Sequence, residues 1–256
     1  GLNFRDVMYT LGLLSDEAIE HGFSGPSLGL EFSGVVTRAG DNAEFAVGER
    51  VVGFGPASFS DRLVIADTAL ARVPQGVSLE AAATIPTTFF TVYYALKHLA
   101  RLEAGEKVLI HGAAGGVGIA ALQIAEWLGA EVFATVGSPA KRDFLALMGI
   151  ENVYDSRSHG FAEDILADLA ARQQRDPSVD ARGVDVVLNS LAGEAIVQNL
   201  RVLKPFGRFC ELGKRDFYEN TPMGLRPFRN NLSYFGIDSD QLMKECPGLT
   251  TRLFRE

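Results

Sequence analysis

Four glycines, Gly112, Gly115, Gly116 and Gly118, interrupt an apolar run that begins at Lys107 and restarts at Val117. A strand that breaks into glycines and resumes as an apolar-periodic helix is suited to hold a dinucleotide. Glycine lets the backbone approach a pyrophosphate, and the helix start offers unsatisfied N–H groups and the positive dipole end to its oxygens. The candidate phosphate contacts are therefore Gly115, Gly116, Val117 and Gly118. In the G-x-G-x-x-G form the first glycine would fall on Ala113, so the spacing here is a variant. A glycine turn is also a common structural joint, and its context must decide.

The next apolar run, Glu131 to Val136, ends where an NAD-binding fold places an acid on the ribose 2′-hydroxyl, about 20 residues past the glycines. No acid is present. Gly137 and Ser138 are followed by Pro139, Ala140, Lys141 and Arg142, so Ser138 reads as an N-cap and Pro139 as the first helical residue. Two cations in a first helical turn oppose the helix dipole and need another reason to be there. A 2′-phosphate supplies it, which makes the expected cofactor NADPH. The alternative is a solvated charge pair.

These residues need a scaffold, and the hydrophobic pattern supplies one. Strands are expected at 107–111, 131–136, 152–155, 184–189, 207–212 and 232–237, with helical patterns between most of them and a helix over 91–98. That alternation predicts an α/β Rossmann-type fold, a doubly wound parallel sheet with right-handed crossovers. Residues 172–180 are polar, contain Pro177 and read as a loop insertion. Residues 1–84 differ: short β-type runs at 31–37, 49–54 and 61–65, bounded by turn residues, predict a small, mostly β unit. Within it, 3–11 has helical spacing and Ser78 opens a partial helix-start signal.

Composition sets the outer bounds. A chain of 256 residues, 47% hydrophobic, has ample core-forming material, and no run approaches the ~20 apolar residues needed to cross a membrane. A net charge of -8 with no basic cluster argues against nucleic acid as a partner. Cys210 and Cys246 make neither a disulfide framework nor a Cys-rich zinc site and fit a reducing cytoplasm. Cys210 lies in a strand pattern and His111 at a strand end, where both read as packing residues. The first residues are no targeting peptide, and the chain is expected to be truncated at both ends.

Several motifs carry a resemblance. They are Leu2 to Met8, Leu30 to Gly34, Val47 to Val51, Thr91 to Leu96, Ala113 to Gly118, Val184 to Leu191 and Glu211 to Lys214. In this order the chain resembles the medium-chain dehydrogenase/reductase superfamily, and within it the enoyl reductase domains of polyketide and fatty-acid synthases. The resemblance implies a GroES-like substrate-binding lobe at 1–90, an NADPH-binding Rossmann domain at 91–240 and the start of a return to the lobe at 241–256. The cofactor would be clamped in the cleft between lobe and sheet. It implies reduction of the α,β double bond of an enoyl chain linked by phosphopantetheine to an acyl carrier protein, among neighbouring synthase domains.

The resemblance nominates Lys214 and Asp240 as the proton-donor pair, with Asp238 competing for the second role. It also places Asn3, Thr91, Asn189, Ser190, Leu191 and Gly213 along the nicotinamide end, and Arg157 beside Ser138 and Lys141 at the 2′-phosphate. Metal-dependent relatives carry a histidine after a glycine and before a glutamate. Here Gly29, Leu30 and Glu31 occupy that stretch, so no catalytic metal is expected. Leu14 stands where many polyketide-synthase enoyl reductases have a tyrosine associated with α-methyl stereochemistry. A stand-alone quinone or enone reductase, or a non-catalytic NADPH-binding module, would share the glycine turn.

Overall fold

The computed structural model describes residues 1–256, the side chain of His21 excepted. The chain forms two compact units, Gly1–Thr91 with Asp238–Glu256, and Val92–Ile237.

The first unit contains α1 (Phe4–Thr10), α2 (Asp16–His21), β1 (Glu31–Val35), β2 (Arg50–Phe54), β3 (Leu70–Arg72), α3 (Leu79–Ala82) and most of α4 (Pro86–Val92). The strands form an antiparallel sheet in the order β1-β2-β3, closed over Phe45, Val51 and Leu70. Its third strand is not the expected 61–65 segment. Residues 70–72 take the open edge of β2, pairing Val51 with Arg72, while Ile65 reaches the small core without ladder bonds and Val64 is fully exposed. One inward side chain satisfies an alternating pattern without making a strand. The C-terminal helix Pro247–Arg255 sets Phe254 against Phe54, ring centroids 4.5 Å apart, and ties Arg255 to Glu44 at 2.9 Å.

The second unit is built on β4 (Lys107–Ile110), β5 (Glu131–Val136), β6 (Val153–Asp155), β7 (Val184–Asn189), β8 (Leu203–Glu211) and β9 (Ser233–Gly236). All pair in parallel, in the order β6-β5-β4-β7-β8-β9. The connections reverse direction between β4 and β7, and the carboxyl ends flanking such a reversal are where open α/β sheets bind ligands. Both strands are buried along their whole length, as strands covered on both faces must be. The helices are α5 (Gly116–Trp127), α6 (Pro139–Leu147), α7 (Phe161–Arg175), α8 (Glu194–Val202) and α9 (Arg215–Tyr218). Phe133, Phe161, Ile165, Leu169 and Phe209 fill one core cluster.

For this unit the helix expected over 91–98 is present, in a form the spacing did not specify, and the loop expected over 172–180 is corrected. The helix predicted over 91–98 is α4 running into a π-helix, Tyr93–Leu99, whose widened turn is closed by Ala100 N–H donating to Ala95 at 2.9 Å. Apolar spacing does not separate the two helix types. The 172–180 segment is helical as far as Arg175, because Arg172 is held by Glu131 at 2.6 Å; the helix stops at Asp176, extended as the residue before a proline tends to be. Among the described residues, no helix is long and apolar enough to cross a membrane.

Candidate active site at the strand ends

Gly112 leaves β4 with φ +61, a conformation that favours glycine, and its carbonyl accepts the Gly115 N–H at 2.8 Å. Gly115 is the N-cap of α5, no side chain caps it, and the first turn carries no acid. Gly115 and Gly116 are exposed and Val117 is half-buried, so this helix start is suited to an anion. Gly118 has a packing role that the spacing did not announce. It is buried, and a Cβ there would lie 2.4 Å from the Gly112 oxygen and 2.5 Å from Ala113 Cα. It lets helix and turn pack together, and Gly115 and Gly116 are the glycines left exposed at the helix start. Ser190 is brought to the same turn: its Oγ would be 3.4 Å from a Cβ on Gly112.

At the end of β5 the Ser138 hydroxyl accepts the Lys141 N–H at 3.4 Å and caps α6. Register does the rest. Val136 pairs with Asp155, so the chain leaves β5 and β6 side by side, and the Arg157 side chain lies beside Gly137, its Nε 3.3 Å from where a Cβ would be. Ser156 Oγ is equally close and was not anticipated. Lys141 is exposed, but Arg142 points away: its guanidinium donates to the Val153 carbonyl, which explains one of the two first-turn cations without a ligand. Two hydroxyls and the cations Lys141 and Arg157 remain where an acid would otherwise select NAD.

Asn189 ends β7 wholly buried, and all four hydrogen-bonding positions of its amide are used within the protein. Its Oδ1 accepts the Leu191 N–H at 3.1 Å and its Nδ2 donates to the Leu191 carbonyl at 2.7 Å, so main-chain groups fix its orientation. The Asn199 atom 3.0 Å from Asn189 Oδ1 is therefore Nδ2. Asn199 Oδ1 then faces His111 Nε2 at 2.6 Å, which must carry the ring proton, and His111 Nδ1 accepts from the Thr135 hydroxyl at 2.8 Å. Burial holds His111 neutral, its pKa lowered to about 4 against the opposing effect of the Asn199 bond. Asn189 therefore shapes the turn carrying Ser190 and Leu191, and its own amide has nothing left for a ligand.

The series ends on Glu211, the last residue of β8. Asn189 Nδ2 donates to its Oε2 at 2.6 Å, and the Gly213 N–H donates to its Oε1 at 2.6 Å. Lys214 follows, half-buried, with Nζ donating to the Ile237 carbonyl at 3.3 Å. Asp216 accepts the Gly193 N–H at 3.1 Å, joining the loops after β7 and β8 a second time.

The remaining nominated residues belong to the first unit. Asp240 Oδ2 accepts the Phe23 N–H at 3.0 Å, and Asp238 caps the helix Ser239–Glu245 through the Asp240 and Gln241 N–H groups. Thr91 Oγ1 lies 3.0 Å from Ser239 Oγ. Asn3 Nδ2 donates to Glu31 at 2.9 Å, and the other Glu31 oxygen accepts the Thr87 N–H at 2.8 Å.

A parallel sheet with this glycine turn, carried in one chain with a small antiparallel unit, matches the architecture of the medium-chain dehydrogenase/reductases. Residues 116–253 match the family of zinc-binding dehydrogenases. The chain is 45% identical over 254 residues, 98% of its length, to the mycocerosic acid synthase-like polyketide synthase of Mycobacterium tuberculosis. It is 42% identical over 242 residues, 93% of its length, to the reducing polyketide synthase FUB1 of Gibberella moniliformis. It spans only 11% and 9% of those relatives. The CurK enoyl reductase superposes with a TM-score of 0.83 at 40% identity, over 99% of this chain and 74% of that one. The nucleotide-binding subdomain of the enoylreductase domain of PpsC from Mycobacterium tuberculosis does so at 0.60 with 44% identity, over 67% and 90%. The chain belongs to the zinc-binding dehydrogenase family, among the enoyl reductase domains of polyketide synthases.

The family's zinc does not fit this chain. Leu30 has no donor, the Glu31 carboxylate is committed to Asn3 and Thr87, and among the described residues no three His, Cys, Asp or Glu are grouped to hold a metal. Cys210 is a core residue, buried, with its thiol pushed up to about 12 chiefly by desolvation.

Proposed function

We propose that the chain reduces the α,β double bond of an enoyl thioester presented by an acyl carrier protein, with NADPH as reductant, as one domain among others of a polyketide synthase. The observation that carries this reading is that Lys214 leaves β8 at the same edge of the sheet as the uncapped glycine turn after β4. Gly115, Gly116 and Val117 would hold the pyrophosphate, and Ser138, Lys141 and Arg157 the 2′-phosphate. Ser190, Leu191 and Gly213 are assigned to the nicotinamide end. Bound there, NADPH would supply the hydride for the β-carbon.

The chain's own residues handle the charge that follows. As hydride adds, the thioester oxygen gains enolate charge, which an ammonium at Lys214 stabilises before giving a proton to the α-carbon. Solvent then returns the proton to Lys214. Asp240, Asn3 and Thr91 are assigned by family resemblance to this donor and to the nicotinamide.

Selectivity is the test closest to the geometry. Arg157→Ala is expected to weaken NADPH binding about tenfold, the scale of one charge-assisted hydrogen bond, and to leave NADH binding unchanged. Fluorescence titration with both nucleotides measures this, and an equal loss for the two would remove Arg157 from the phosphate site.

A further inference from the structure

Glu211 has no part in the chemistry just described, yet it is 1% exposed and sits where the loops after β7 and β8 meet. Every donor in the buried series, from Thr135 through His111, Asn199 and Asn189, points toward its carboxylate, and the Gly213 N–H reaches it from the other side. Hydrogen bonds aligned in one direction strengthen one another, and those ending on an ionised acceptor are the strongest. We propose that Glu211 is a positioning residue: as a carboxylate it latches the Asn189–Leu191 turn to Gly213, and thereby fixes Ser190 and Lys214 at the sheet edge. The proposal rests on that edge being the reductase site.

The latch is sensitive to protons. Burial raises the Glu211 carboxyl to about 7; the bonds from Asn189 and Gly213 oppose the rise, and Asp216 on α9 adds to it. Tyr234 on β9 and Cys210 on β8 also face this charge, and both titrate far above neutrality. Each Glu211 oxygen accepts one N–H; an added proton removes the charge that strengthens both bonds and turns one oxygen into a weaker hydroxyl acceptor. The latch is therefore closed above about pH 7 and loosened below it.

The experiment follows Glu211→Gln beside the unaltered protein, using nucleotide titration, kcat and KM on a crotonyl thioester from pH 5.5 to 8.5, and amide hydrogen exchange of Leu191 and Gly213. In the unaltered protein kcat is expected to fall below pH 7, and Gly213 protection, corrected for intrinsic exchange, to be about tenfold higher at pH 8 than at pH 6. Glu211→Gln is expected to lose about tenfold in kcat with little change in KM, and to lose the acid limb of the profile. An unchanged kcat and profile in the variant, or Gly213 protection equal at both pH values, overturns the proposal. If the variant does not fold, amide protection in the unaltered protein decides. If the unaltered protein binds nucleotide without reducing the thioester, the substrate reading fails and the amide measurement still judges the latch.

Discussion

Lys214→Ala is expected to lower enoyl thioester turnover by about 10²- to 10⁴-fold, the range of a positioned acid, while nucleotide affinity stays within a few-fold. The asymmetry follows from the placement of the side chain. The Lys214 ammonium lies against the Ile237 carbonyl, past the end of β8, two strands along the sheet from the glycine turn after β4. Its charge is needed only when negative charge develops on the substrate, so removing it should reduce kcat more than KM. Reduction in deuterium oxide adds a second readout. With Lys214 present, deuterium is expected on one face of the α-carbon; without it, water delivers to both faces. Turnover at the original rate and facial selectivity by Lys214→Ala would remove this residue from the chemistry.

Gly118→Val is expected to destabilise the second unit by about 2–4 kcal/mol and to abolish nucleotide binding. The atoms a Cβ would meet at 2.4 and 2.5 Å are backbone, in a turn already fixed by the Gly112 carbonyl, so no side chain can move aside. Gly115 provides the control. A Cβ there meets only the Gly112 oxygen at 3.2 Å, so Gly115→Ala should melt within a few degrees of the unaltered protein and lose affinity by crowding the phosphate site. Thermal melts read beside nucleotide titrations distinguish the two glycines. Equal melting points and equal affinities for both variants would mean that helix and turn are not packed as described.

The parallel sheet was legible because β4 and β7 each hold a short apolar run, Val108 to Ile110 and Val186 to Leu188, and the glycines mark the turn into α5. Ser138 was legible too, since N-cap, proline and helix follow in local order. What depended on distant contacts was not. Lys141 and Arg142 are equivalent in sequence, yet only the three-dimensional path turns Arg142 to the Val153 carbonyl and brings Arg157 alongside Gly137 through the β5–β6 register. The edge of β2 chose residues 70–72 over an equally alternating 61–65 segment. Asn189 looked like a cofactor contact because it ends a strand at the binding edge, and only the buried series reveals that its amide is committed inward. One signal was available in the sequence: Asn189 and Glu211 are polar residues that directly follow the apolar ends of two strands, Val186 to Leu188 and Phe209 to Cys210, and polar groups buried in pairs must satisfy each other.

The decisive measurement is the loss of NADPH absorbance when the protein meets a crotonyl thioester of an acyl carrier protein, with NADH run in parallel. NADPH is expected to be oxidised rapidly and NADH at least tenfold more slowly, with a saturated thioester as product. Tight NADPH binding with no reduction of the thioester, or equal use of the two nucleotides, would contradict the proposed function.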